Sequence, residues 1–263
     1  MADAGAMIGD IWLRTSKTAE LAAFYRDGLG LDISGLPAGA VRLSFTGRNC
    51  GAGLCLMPAG APPEPGEAYG HVAFALPDIR TAFDRLTAAG AATQIAPTVL
   101  AKGGPVCAFV TDPAGYAIEL VETSGPRGVA GFDTGDIILG PRDGARRIAH
   151  TMLRITDIDA ALRFYVEALG MTLRERIDID ARGGVTALFV GYDHGDAGRL
   201  IELSFYRAHK GPFAQGNGFA HIDLYLPDPA LARSRLAALG FDVDGDILRD
   251  ADGHRFRIVA PQI

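Results

Sequence analysis

Cysteine is scarce: the 263 residues include three, Cys50, Cys55 and Cys107. They form neither an even framework nor a CxxC pair, which excludes a disulfide-stapled miniprotein and points to a reducing compartment. There is no basic run, and Lys+Arg 25 against Asp+Glu 31 leaves a net charge of −6. A nucleic-acid partner is excluded on that ground, because binding a polyanion depends on clustered cations. No segment approaches the roughly 18 apolar residues of a membrane span, and the opening MADAGAMIGD lacks a basic stretch followed by an apolar one. The expectation is a cytoplasmic protein with no membrane partner. Hydrophobic residues at 48% and charged residues at 21% are the balance of a folded globular chain, long enough for one large domain or two ordinary ones.

The sequence repeats itself. FYRDGLGL at 24–31 returns as FYVEALGM at 164–171, GHVAFALPD at 70–78 as AHIDLYLPD at 220–228, and DPAGYAIELV at 112–121 as DADGHRFRIV at 250–259. Offsets of 140, 150 and 138 residues describe a tandem duplication of a unit of roughly 120 residues. Residues 126–147, within a stretch rich in Gly, Pro and Asp, read as the linker between halves 1–125 and 148–263.

Each half divides again into two segments that pass from a short apolar strand into an amphipathic helix. Ile79, Ala82, Phe83 and Leu86 fall on one helical stripe, and Leu231, Leu236 and Leu239 on another. Gly30, Gly90, Gly170 and Gly240 follow the four helices and supply the positive φ of a C-terminal cap. The β-rich runs 41–46, 53–57, 106–111, 116–122, 185–192 and 200–206 read as strands. An α+β fold of four βαβββ modules with curved sheets follows, spanning roughly 7–58, 69–122, 148–206 and 219–260.

A curved sheet makes a concave site, so titratable residues at matching inward positions are the candidates. The opening strands present Asp10, His71, His150 and His221, and the closing strands Cys55, Glu119, Glu202 and Arg257. Modules two and three thus hold a complete His and Glu pair each, while modules one and four do not. A glutamate within the apolar runs AIELV and LIELS is costly to bury unpaired. Two imidazoles and two carboxylates supply four ligands to a divalent ion, a donor set that suits nickel, cobalt, zinc or manganese more than copper(I). His194, His209 and His254 read as surface residues, and the cysteines lack a nucleophile's setting.

These stretches resemble the vicinal oxygen chelate superfamily, and within it glyoxalase I. HTMLRITDIDAALRFYVEALGMTL at 150–173, ALFVGYD at 187–193 and LIELSF at 200–205 resemble the family's first half. AYGHVAFALPDIRTAFDRL at 68–86 and KGGPVCAFVTDPAGYAIELVE at 102–122 resemble its second half. The resemblance implies paired glyoxalase/bleomycin-resistance/dioxygenase-type domains, as in double-length members that look like a dimer fused into one chain. It implies one metal site across the halves, from His71, Glu119, His150 and Glu202, and a degenerate one from Asp10, Cys55, His221 and Arg257, where Arg257 would repel a cation. The implied activity is that of a lyase in methylglyoxal detoxification. The hemithioacetal of methylglyoxal and the cosubstrate glutathione is isomerised by proton transfer through an enediolate, with Glu119 favoured over Glu202 as the base.

Arg154 matches a family arginine that grips the glutathione carboxylate, and Lys102 sits on a Gly-rich loop that could close over substrate. Tyr206 and Glu67 stand where some members carry Asn and Arg. The short connection 191–199 and a His at the first ligand position resemble the nickel- or cobalt-activated members more than the zinc ones. The alternatives are an extradiol dioxygenase, a carbon-acid epimerase, or a metal-free drug-binding module. A monomer is expected, because the two halves can pair within the chain.

Overall fold

The computed structural model describes residues 5–46, 52–100, 104–123, 146–179, 184–192 and 199–259. Lys102 and His194 lie outside them, as does the linker except its last two residues. Module one runs β1 (Met7–Thr15), α1 (Thr18–Leu29), β2 (Asp32–Gly35), β3 (Val41–Ser44) and β4 (Leu54–Pro58). Module two is β5 (Tyr69–Leu76), α2 (Ile79–Ala88), β6 (Ala92–Val99), β7 (Val106–Thr111) and β8 (Ala117–Glu122). Module three has β9 (Arg147–Ile155), α3 (Ile158–Leu162, continued as a π-helical turn over Arg163–Ala168), β10 (Thr172–Ile179), β11 (Val185–Gly191) and β12 (Leu200–Tyr206). Module four closes the chain with β13 (Phe219–Tyr225), α4 (Pro229–Ala238), β14 (Val243–Asp244), β15 (Ile247–Arg249) and β16 (Arg255–Val259).

Two eight-stranded sheets result. Their orders are β14-β15-β16-β13-β1-β4-β3-β2 and β10-β11-β12-β9-β5-β8-β7-β6. Neither sheet belongs to one half of the chain: modules one and four build the first, modules two and three the second. In each module the opening strand pairs parallel with the closing strand, and the two opening strands pair antiparallel at the sheet's centre. This joins the modules that carry complete His and Glu pairs.

The helices α2, α3 and α4 begin where the sequence supplies a cap. Asp78, Asp157 and Asp228 each accept a backbone N–H three residues on. Period-2 alternation then sorts the strands. Val72, Phe74, Ile118, Leu120, Ile201 and Leu203 enter the main core, and the residues between them face the other way. On α2 the expected stripe holds, with Ile79, Ala82 and Leu86 buried. On α4 Leu236 is buried as expected, but Ala232 rather than Leu231 is buried beside it, and Leu231 is exposed.

Buried tyrosines fasten the modules within each half across the two sheets. Tyr25 Oη donates to Asp112 at 2.8 Å and Tyr165 Oη to Asp250 at 2.6 Å. The equivalent carboxylates differ in their fourth neighbour along the chain. Asp112 is followed by Tyr116, and burial pushes its pKa up to about 6 despite backbone and Tyr25 hydrogen bonds. Asp250 is followed by His254, whose Nδ1 lies 2.9 Å from it. Burial would raise Asp250 too, but the imidazole's charge and hydrogen bond hold it below the usual range. His254 is fully buried, against the surface position expected, since its ring bridges Asp250 and the carbonyl of Ala68 on the way into β5.

Burial would lower the pKa of His254, yet Asp250 raises it. A His pKa raised on folding contributes stability that is complete below its unfolded value of about 6.5 and lost as pH climbs through the folded one. The lowered Asp250 contributes above about 3.9 and loses its share as pH falls. Urea unfolding of the wild type is therefore expected to show stability declining as pH rises above neutrality. His254→Tyr, which recreates the arrangement of the other half, is expected to flatten that decline; an unchanged slope would remove His254 as its source.

Candidate metal centre

The face of the second sheet that turns away from the helices carries the four expected ligands. His71 lies on β5 and Glu119 on β8, where β5 and β8 pair so that Ala73 faces Glu119. His150 on β9 and Glu202 on β12 repeat that offset, with Met152 facing Glu202. The antiparallel contact of β5 with β9 then brings the two pairs together across the sheet's centre. Ala73, Ala75 and Ala149 form a separate small-residue patch on these two central strands.

The donor atoms converge. His71 Nε2 and His150 Nε2 are 3.2 Å apart. Glu119 Oε2 lies 3.1 Å from the first and 3.0 Å from the second. Glu202 Oε2 lies 3.7 Å and 3.2 Å from them. All four donors fall within 4.8 Å of one another, and among the described residues this is the one such group. Ligands that share an ion at about 2.0–2.2 Å in neighbouring positions sit about 3 Å apart, so this spacing fits a divalent cation. The charge balance fits as well. Two carboxylates buried in one place require compensation, and without an ion it must come from protonated imidazole.

That compensation shows in the acidities. Burial would raise Glu119, but hydrogen bonds with His150 and His71 hold it far below the usual carboxylate range. Glu202 is lowered in the same way, with His150 as the chief partner against burial. Burial would lower His150, yet the two carboxylates carry it up to about 9. Phe109 and Phe189 pack edge-on against the His71 and His150 rings, at 5.6 and 5.5 Å between centroids, and wall the cluster on both sides. The near twofold arrangement extends to these walls, since Phe109 pairs with Glu119 and Phe189 with Glu202.

Beyond the ligands, β12 continues on the same face through Ser204 to Tyr206. Four residues of strand span about 13 Å, and there a cleft of about 570 Å³ opens, lined by Gly66, Glu67, Arg154, Tyr206, His209 and Phe213 among others. Arg154, expected to hold a carboxylate, donates to the carbonyls of Glu67 and Tyr69 and lies over Tyr206 at 5.6 Å. His209 stacks on Phe213 at 3.9 Å and is only partly exposed. Glu67 and Tyr206, the two departures from the family pattern, meet in this cleft.

The equivalent place on the first sheet is built otherwise. Asp10 accepts from Gly53 N at 2.5 Å and Arg42 Nε at 2.9 Å, and the Cys55 thiol lies 3.5 Å from it. Burial and Asp10 push that thiol up, so it stays protonated and a poor ligand. Arg257 does not project its charge at a vacant ligand position, as expected from sequence. Its guanidinium forks onto Asp223 at 2.7 and 2.9 Å and lies over Trp12 at 5.0 Å. Trp12 Nε1 also donates to Asp223 at 2.8 Å, and its ring stacks on His221. Asp223, which sequence reasoning missed, thus absorbs Arg257 and Trp12 together. Its signal was present: it stands two residues after His221, on the same strand face.

Known proteins share this architecture. Glyoxalase I from Zea mays superposes with a TM-score of 0.77 at 20% identity, covering 97% of this chain and 92% of that one. A dioxygenase described as putative, from Bacillus subtilis, superposes at 0.63 with 22% identity, covering 97% and 84%. In sequence, a lactoylglutathione lyase of Arabidopsis thaliana is 27% identical over 186 residues, which cover 71% of this chain and 59% of that protein. A probable lactoylglutathione lyase of Vibrio parahaemolyticus is 35% identical over 105 residues, 40% of this chain and 72% of that one. The chain thus spans about three fifths of the plant relative's length. The profile of the Glyoxalase/Bleomycin resistance protein/Dioxygenase superfamily matches twice, at residues 7–120 and 147–260, and the chain belongs to that superfamily.

Proposed function

We propose that the chain is a metal-dependent glyoxalase I, a lactoylglutathione lyase. It isomerises the hemithioacetal of methylglyoxal and glutathione to S-lactoylglutathione by moving a proton between neighbouring carbons through an enediolate. The observation that carries this reading is the convergence of His71, Glu119, His150 and Glu202 on one walled sheet face. Relatives named lactoylglutathione lyase support it. Nickel or cobalt is favoured as the ion and zinc is the alternative. When bound, a divalent ion would polarise the substrate oxygens and stabilise the charge that develops when the carbon loses its proton.

The chain's own groups do the rest. Glu119 takes the proton from one carbon and returns it to the next. Phe109 and Phe189 keep bulk water from the exchanging proton. The cleft, which begins at Arg154 in register with Ser204 two residues along from Glu202, is within reach of a short peptide attached through its thiol, with Arg154 toward its carboxylate. Lys102, in KGGP at 102–105, is assigned the closing over substrate. The halves 1–125 and 148–263 complete each other's sheets within one chain, which supports a monomer. No helix among the described residues is long and apolar enough to cross a membrane.

The test is isomerisation of the methylglyoxal–glutathione hemithioacetal by metal-stripped protein reloaded in parallel with nickel, cobalt or zinc, with bound metal counted by elemental analysis. One equivalent per chain and metal-dependent turnover are expected. Two equivalents would overturn the assignment of the Asp10, Cys55, His221 and Arg257 place as degenerate. Tight metal binding without turnover would redirect the substrate to another thiol adduct or carbon acid.

A further inference from the structure

The two glutamates occupy equivalent places in IELV at 118–121 and IELS at 201–204, yet they are not held alike. Two residues on, facing the same way, stand Val121 and Ser204. Ser204 is 1% exposed, and its Oγ donates to Glu202 Oε1 at 2.7 Å. That bond occupies the outer oxygen and leaves Oε2 aimed at His150 and His71. Across the ladder Ser204 pairs with Ala187, too small to crowd it. Beside Glu119 the pattern is reversed. Val121 has no donor, and its ladder partner is Cys107. The thiol of Cys107 donates to Pro105 O at 3.8 Å, and a thiol is a weak donor.

We propose that Ser204 is a positioning residue that fixes Glu202 as the stationary ligand and so leaves proton transfer to Glu119. A carboxylate whose outer oxygen is held by a buried hydroxyl cannot turn without breaking a charge-assisted hydrogen bond. Glu119, which among the described residues has no hydroxyl on its outer oxygen, can. In the reaction, a Glu119 oxygen takes the proton as the substrate C–H bond breaks and the electron pair stays on the substrate. The same O–H then returns the proton to the adjacent carbon while the hemithioacetal's hydroxyl proton passes to the neighbouring substrate oxygen, so atoms and charge balance with no further reactant. The inference rests on the function proposed above, but its first readout does not require turnover.

That readout is nickel affinity of the full-length protein, measured by competition with a chelator. Ser204→Ala is expected to weaken nickel 10- to 100-fold, the usual loss when a partner that orients a metal ligand is removed. Ser204→Thr, which keeps the hydroxyl, is expected to retain it. In the second readout, the residual turnover of Glu119→Gln is expected to rise when Ser204→Ala is added, because the freed Glu202 can then move. Val121→Ser is expected to lower turnover by about tenfold without weakening nickel, by pinning Glu119 as Glu202 is pinned.

Unchanged nickel affinity in Ser204→Ala would overturn the proposal, and so would an equal loss in Ser204→Thr, which would reduce Ser204 to a packing role. Nickel binding that follows the hydroxyl in a protein with no hemithioacetal turnover would uphold the clamp while the glyoxalase reading falls. Turnover with no dependence on Ser204 would do the reverse. A wild type that binds no nickel, cobalt or zinc would overturn both.

Discussion

Glu119→Gln is expected to lower kcat by about 10²- to 10⁴-fold, the usual contribution of a positioned general base, with little change in KM. The amide keeps the shape of the side chain and an oxygen that can face the imidazoles, but it cannot accept a proton from carbon. Glu119 stands 3.0 and 3.1 Å from two imidazole nitrogens. A KM that hardly moves is expected because the cleft lined by Arg154, Tyr206 and Phe213 does not include Glu119 among its lining residues. Metal content must be measured on the same preparation, since the amide also weakens one of four ligands. A fully loaded Glu119→Gln within tenfold of wild-type kcat would take the base role away from Glu119. Glu202→Gln is expected to fail differently, through lost metal, because its outer oxygen is tied to Ser204.

The metal centre was legible in the sequence because each ligand breaks a local rule in a place where the rule is strong. His71 and His150 interrupt apolar central strands, and Glu119 and Glu202 interrupt apolar closing strands whose other positions enter the core. Repetition then fixed the pairing of modules, since only modules two and three kept both residues. What was not legible depended on partners far away in the chain. Trp12 and Asp223 are 211 positions apart, and nothing local to Arg257 announces that its charge is consumed by Asp223. His254 sits in a turn-like DADGHR, which reads as surface, yet the turn is folded under β5 and its imidazole is the counter-charge of Asp250. The strands β6 and β10 were hidden for another reason: they are sheet edges, largely exposed, and carry the polar runs ATQIAPTV and TLRERIDI rather than apolar alternation.

Gly66→Ala is expected to cost about 2–4 kcal/mol, adding a left-handed non-glycine residue to a steric clash, and to lower Tm by roughly 5–15 °C. Two loops meet back to back between the sheets, and both use glycine at the crossing. Gly66 has φ 78° and Gly216 φ 62°. A Cβ on Gly66 would run into the Gln215 carbonyl, and one on Gly216 into the Glu64 carbonyl. The loops also exchange hydrogen bonds in a near twofold pattern, with Glu67 N and Ala68 N donating to Ala214 O, and Asn217 N and Gly218 N donating to Glu64 O. Neither neighbour is a side chain that could rotate away, so the backbones must part. Because these loops lead directly into β5 and β13, parting them moves Glu67 in the cleft and the strand that carries His71. Gly66→Ala should therefore weaken metal binding as well as stability, whereas Gly60→Ala, where a Cβ meets nothing within 4 Å and φ is ordinary, should leave both unchanged. Equal melting temperatures for the two variants would mean that the loops tolerate separation, and that the modules are aligned by the β5–β9 and β1–β13 ladders alone.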